Sequence, residues 1–174
     1  AHDYAEETGA TIIEPFAARD TIVGQGTVAA EILSQLSAMG KSPDTIVVPV
    51  GGGGLISGIL SYLADMSPRT AVVGVEPAGA PSLNAALKAE KPVTLDAVDP
   101  FVDGAAVKRI GDINYQIIEK NLGRLHPLVV SEGAVCTEMI ELYQNEGIIA
   151  EPAGALSVTA LSELKLGTND IVVC

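Results

Sequence analysis

Between Thr45 and Ala64 the chain runs 20 residues without a charge, and four consecutive glycines, Gly51–Gly54, interrupt the run. A charge-free stretch of this length is long enough to span a bilayer as a helix. Pro49 and five glycines lie within it, however, and each of these breaks or weakens a helix. The stretch divides instead into three parts. Thr45–Val50 is β-branched and continuously apolar, the pattern of a strand buried on both faces. The glycines form a loop, and Leu55–Met66 reads as a helix closed by Ser67-Pro68. Membrane insertion is therefore not expected.

Strand-length runs and helical patterns alternate along the rest of the chain. Thr11–Ile13 reads as a short strand. Thr27 reads as the N-cap of a helix that Gly40 stops. Ala71–Val75 is a second buried strand ended by Glu76-Pro77, and Ser82–Ala89 is a short helix before an irregular stretch from Pro92 to Pro100. Ile113–Leu122 reads as a helix and Leu128–Val130 as a strand. Ser131 caps a helix running to Gly147 with Val135, Met139 and Leu142 on one face, and Glu151–Leu164 is a helix with Pro152 at its first position. Ile171–Cys174 is a last strand. The expected fold class is α/β, with a mostly parallel sheet covered by helices on both faces.

Composition excludes several roles. With 48% hydrophobic residues in 174 the chain can fold around a core, so disorder is excluded. A net charge of −12 has the wrong sign for nucleic acid or an anionic membrane surface. Two cysteines, Cys136 and Cys174, and two histidines, His2 and His126, offer neither a disulfide framework nor metal-ligand spacing. They suit a reducing, cytoplasmic compartment. Cys136 falls inside a helical pattern and is expected in the core, whereas His126 is expected to be structural.

Glycines between a buried strand and a helix can turn backbone N–H groups onto a ligand, at the positive end of the helix dipole. An anion, most naturally a phosphate, fits there. A Walker loop needs Gly-Lys-Ser/Thr, but Gly58 is followed by Ile59 and Leu60. The dinucleotide pattern Gly-x-Gly-x-x-Gly fails in both registers, at Ile56 and at Ser57, although Glu76 ends the next strand where that fold places its ribose-binding acid. A tight turn alone would not need four glycines.

Val48-Pro49-Val50-Gly51-Gly52-Gly53-Gly54-Leu55-Ile56-Ser57-Gly58 resembles the phosphate-binding loop of fold-type II pyridoxal-phosphate enzymes, specifically threonine dehydratases and serine racemases. Four further segments are similar to the family in the same order: Pro15-Phe16 with Gly24-Gln25-Gly26-Thr27, Gly74–Pro77, Asp103–Asp112, and Glu151-Pro152-Ala153-Gly154-Ala155. Asp103–Asp112 most resembles the biosynthetic threonine dehydratases. The resemblance implies pyridoxal 5′-phosphate as cofactor and an amino-acid substrate, with threonine converted to 2-oxobutyrate and ammonia by a homo-oligomer. It assigns the 5′-phosphate to Gly51, Gly52, Gly53, Gly54 and the Leu55 amide, puts Gly104 against the cofactor ring, and leaves Glu151 nearby. A serine racemase or serine dehydratase is the alternative within the family. A non-catalytic α/β phosphate-binding module is the alternative outside it.

The family's Schiff-base lysine lies in a Ser-x-Lys-x-Arg motif, which none of Lys41, Lys88, Lys91, Lys108, Lys120 and Lys165 reproduces. No catalytic residue and no metal ligand is therefore assigned. The Ser-Ser-Gly-Asn and Ser-Gly-Gly-Asn segments of the family are missing as well. Together with a first residue other than Met and a final apolar strand without a loop, this reads as a piece of a longer protein, residues 1–174 forming part of a single catalytic domain truncated at both ends. Glu76 corresponds to a metal-binding glutamate of serine racemases, but Ser82 stands where their aspartate would follow, so solvation at a strand end is the expectation. Gln25 could face the substrate or belong to a turn. Asp103 and Asp112 are spaced without a pattern that pairs them. The 174 residues alone should give no threonine dehydratase turnover when assayed with added pyridoxal phosphate; measurable activity would show that one of the six lysines serves.

Overall fold

A computed structural model describes all of residues 1–174. Four strands, β1 (Thr45–Pro49), β2 (Ala71–Pro77), β3 (Leu125–Val130) and β4 (Val172–Val173), form one sheet in the order β3-β2-β1-β4, every pair parallel. The helices are α1 (His2–Thr8), α2 (Arg19–Ala38), α3 (Gly54–Met66), α4 (Ser82–Ala89), α5 (Asp112–Glu119), α6 (Glu132–Glu141) and α7 (Pro152–Thr159). No helix is long and apolar enough to cross a membrane.

The continuous apolar character of β1 follows from its two buried faces. Ile46, Val48 and Val50 point into a cluster with Ile56, Ile59, Leu60 and Leu63 of α3, against which α2, α4 and α5 also pack. Val47 points the other way, joining Val73 and Val75 of β2, Val135 of α6 and Leu156 of α7. Helices thus cover both faces of the sheet. The chain passes from β1 to β2 and β3 on one side, then returns by α6 and α7 to place β4 on the other side of β1. The order reverses between β1 and β4, so the carboxyl end of β1 lies where open α/β sheets bind ligands.

Three expected elements differ. Thr11–Ile13 is irregular and Ile13 is 83% exposed, since no strand of the sheet lies beside it to supply a ladder. The helix expected from Thr27 begins at Arg19 and carries Gly24-Gln25-Gly26 inside it, so that segment is not a turn. Gly26 is there for packing: a Cβ on it would stand 3.1 Å from the Gly58 carbonyl oxygen, and one on Gly58 would stand 2.5 Å from the Gly26 nitrogen. Backbones of α2 and α3 touch at this point, which only glycine permits. Thr27 caps nothing and donates its hydroxyl to the Gly24 carbonyl at 2.7 Å. The third difference is β3, which starts at Leu125 rather than Leu128 and takes Pro127 in because it is an edge strand.

Other readings match closely. Ser131 accepts the Ala134 N–H at 3.2 Å as an N-cap, and Gly40 and Gly147 hold left-handed backbone after helices. The last stretch before Gly147, Leu142–Glu146, widens to a π-turn, and α7 tightens to a 3₁₀ turn at Ala160–Glu163. Cys136 is exposed, not core: Val135 takes the inward position and the next residue is turned about 100° away. His126 is exposed on the edge strand.

Glu76 also departs from expectation, because its side chain is fully buried. It ends β2 beneath the start of α4, whose own N-cap, Pro81, offers no side-chain acceptor. The carboxylate takes that role. Oε1 accepts the Leu83 N–H at 2.6 Å, and Oε2 accepts the Asn84 N–H at 2.9 Å and the Asn84 amide at 2.8 Å. Burial pushes its pKa up from 4.5, while those donors pull it back. Glu76→Ala should lower the unfolding free energy by about 1–3 kcal/mol in denaturant titrations, because the two α4 amides would be left buried without an acceptor. Since the folded value is raised, the part of the stability that depends on protonating this group is complete below 4.5 and is lost as pH rises through the folded value, while its acceptor bonds to α4 remain. The stability of the protein relative to Glu76→Gln should accordingly be greatest in mild acid and shrink toward neutral pH.

Candidate cofactor-binding site

A cavity of about 430 Å³ opens at the carboxyl end of β1. Gly51, Gly52, Gly53, Gly54, Leu55, Gly104 and Glu151, the residues the sequence singled out, all line it. They come from three separate places: the loop between β1 and α3 with the first turn of α3, the 3₁₀ turn Asp103–Ala105, and the residue before α7. Gly51 packs on that turn, where a Cβ on it would lie 3.1 Å from the Ala105 Cα. Gly104 in turn faces Glu151, whose Oε1 would be 3.3 Å from a Cβ on Gly104.

The glycine loop is built to present amides. The first intrahelical bond of α3 runs from the Ser57 N–H to the Gly53 oxygen at 3.0 Å, so the N–H groups of Gly53, Gly54, Leu55 and Ile56 have no helical partner. Gly53 adopts φ 90°, left-handed backbone that side chains rarely enter. The loop is held from outside by the Gly111 N–H, which donates to the Gly52 oxygen at 3.1 Å. Four amides without helical partners at the positive end of a 13-residue helix, those of Gly53, Gly54 and Leu55 on the cavity wall, can attract an anion.

Gln25 lines the same cavity from α2, as do Pro15 and Phe16 from the segment before it. The last two are visible in the sequence as part of a motif but carry no assigned role there, because nothing local reveals that Phe16 crosses onto the glycine loop. Asp103 and Asp112 are not brought together as an acid pair. Asp103 accepts the Gly104 N–H at 2.9 Å, while Asp112 is bridged by Arg109 at 2.8 and 3.1 Å, a hydrogen-bonded pairing that holds its carboxyl below the ordinary value. All six lysines are exposed, and none lines the cavity. No three of the His, Cys, Asp and Glu side chains gather as a metal site would require.

The sequence profile of the pyridoxal-phosphate dependent enzymes matches residues 1–174. The chain belongs to that family. It is 67% identical over all 174 residues to the biosynthetic L-threonine dehydratase of Corynebacterium glutamicum, of which it spans 40%. Among solved structures it superposes on the T.th. threonine deaminase with a TM-score of 0.91 and 33% identity, covering 99% of this chain and 58% of that one. The maize serine racemase follows with a TM-score of 0.85 and 30% identity over 99% of this chain and 54% of the other.

Pyridoxal phosphate fits the residues present. A Cβ on Gly53 would crowd Ile110 at 3.0 Å and Asn114 at 3.1 Å, so the loop keeps its amides turned to the cavity only as glycine. The cavity is within the size range of cofactor sites. In the full-length protein Gly53→Ala should weaken pyridoxal-phosphate binding about tenfold or more, because left-handed backbone costs a side chain roughly 1–2 kcal/mol and the loop must shift. Titration of the apoprotein by cofactor absorbance checks this.

Proposed function

We propose that the full-length protein is a pyridoxal-phosphate dependent threonine dehydratase, converting L-threonine to 2-oxobutyrate and ammonia. The observation that carries the reading is the set of partnerless amides at Gly53–Ile56, in a chain 67% identical from end to end to a protein named as a biosynthetic threonine dehydratase. In this reading the amides hold the 5′-phosphate, Gly104 gives the cofactor ring room to approach the backbone, and Glu151 offers an acceptor at the cavity wall. When bound, the cofactor serves as an electron sink that makes the α-proton and the β-hydroxyl of the substrate removable. The residues of this chain bind and orient. With every lysine on the surface, the base comes from elsewhere in the protein.

The same reading makes the protein a cytoplasmic homo-oligomer acting on a free amino acid. A serine-directed relative is the competing assignment, and serine racemases share the fold. Full-length protein loaded with cofactor should release 2-oxobutyrate from L-threonine, with a higher kcat/KM than for pyruvate release from L-serine. Racemisation of serine exceeding threonine dehydration would overturn the assignment in favour of the racemase.

A further inference from the structure

Three segments distant in sequence, the glycine loop among them, meet at one point. The first is the strap around Phe16, just before α2. A Cβ on Gly52 would collide with the Phe16 ring, and one on Gly54 would fall 3.0 Å from the Phe16 Cβ. The ring therefore lies directly on the loop as an apolar wall. The second is the loop itself. The third is the first turn of α5, whose Asn114 is fully buried.

Asn114 joins them. Its Nδ2 donates to the Phe16 carbonyl at 2.9 Å, across 98 residues of sequence. A carbonyl only accepts, so the amide nitrogen must face it. The Asn114 backbone oxygen accepts the Ser57 hydroxyl of α3 at 3.4 Å, and its Cβ sits beside Gly53. Its Oδ1 has no hydrogen-bond partner. A buried amide with an orphaned oxygen is costly, so burial alone does not account for asparagine here. The bond to the strap does.

We propose that Asn114 is a positioning residue for the cofactor: by holding the Phe16 carbonyl, it keeps the Phe16 ring seated on Gly52 and Gly54 as the wall of the phosphate end of the site. Asn114 touches no cofactor itself and acts through the strap. The inference rests on reading Gly51–Gly54 as the phosphate-binding loop.

The test is a double-mutant cycle in the full-length protein, reading the Kd for pyridoxal phosphate by titration of the apoprotein, with the apoprotein Tm measured alongside. Asn114→Asp keeps the shape and removes the donor; Asn114→Ala carries the comparison if the buried carboxylate prevents folding. Either should weaken binding about tenfold when Phe16 is present, the worth of one buried hydrogen bond. In the Phe16→Ala background the same change should weaken binding less than about twofold, since the strap then has nothing to position. Phe16→Leu should retain most of the affinity, because an apolar wall remains. Unchanged affinity in the Asn114 variants, or equal weakening in both backgrounds, would overturn the proposal. Gly53→Ala separates the two readings. If it leaves affinity intact, the loop assignment fails; if it weakens binding while the Asn114 variants do not, only the strap assignment fails.

Discussion

Strand β1 has no solvent-facing side. Ile46 and Val48 meet one helical layer while Val47 meets the other, β2 pairs along one whole edge, and β4 pairs with Thr45 and Ile46 on the other. A strand held this way cannot shift in register without moving apolar residues on both faces at once. Its carboxyl end is therefore a fixed point in the molecule, and the glycine loop starts from it. The other end of the loop is fixed too, because Ile56, Ile59, Leu60 and Leu63 sink α3 into the same core. Amides that are to bind an anion without reorganising need such a mounting. The rigidity of the site is a property of the core behind it.

Around the loop, the fold repeatedly satisfies polar groups from a distance. Glu76 reaches from the end of β2 to cap α4, and Gly111 reaches from the entry of α5 to the Gly52 carbonyl. Asn114 reaches from α5 to Phe16. Each bond ties an element to another across a gap in sequence. These are also the places where local preferences mislead. A glutamate at a strand end usually meets solvent, and Glu76 does not. Nothing in Val75-Glu76-Pro77 shows that the N-terminus of a later helix will lie above it.

The layered architecture is largely legible in the sequence. Continuous apolar runs mark β1 and β2, and Ser131, Gly40 and Gly147 mark helix ends through their own backbone chemistry. The exceptions share a cause. Gly24-Gln25-Gly26 looks like a turn because glycine weakens isolated helices, yet the contact between Gly26 and Gly58 reverses that preference. Thr11–Ile13 has strand composition but no partner strand. Cys136 has a helical position but falls on the outer face. In each case the deciding factor is how the segment meets residues far away in sequence.

The same division holds for the site. The order of residues by itself determined that a buried strand, a four-glycine loop and a helix follow one another, because periodicity, β-branching and glycine's missing Cβ act within a few residues. From that alone an anion cradle is expected; its assignment to Gly51–Leu55 is what the family resemblance implies. Only the tertiary structure decided that Gly104 and Glu151 close the same cavity, that Phe16 lies on Gly52, and that Asn114 holds it there. Those contacts depend on how the layers pack and where the parallel strands end. They are long-range, and no local preference of the chain encodes them.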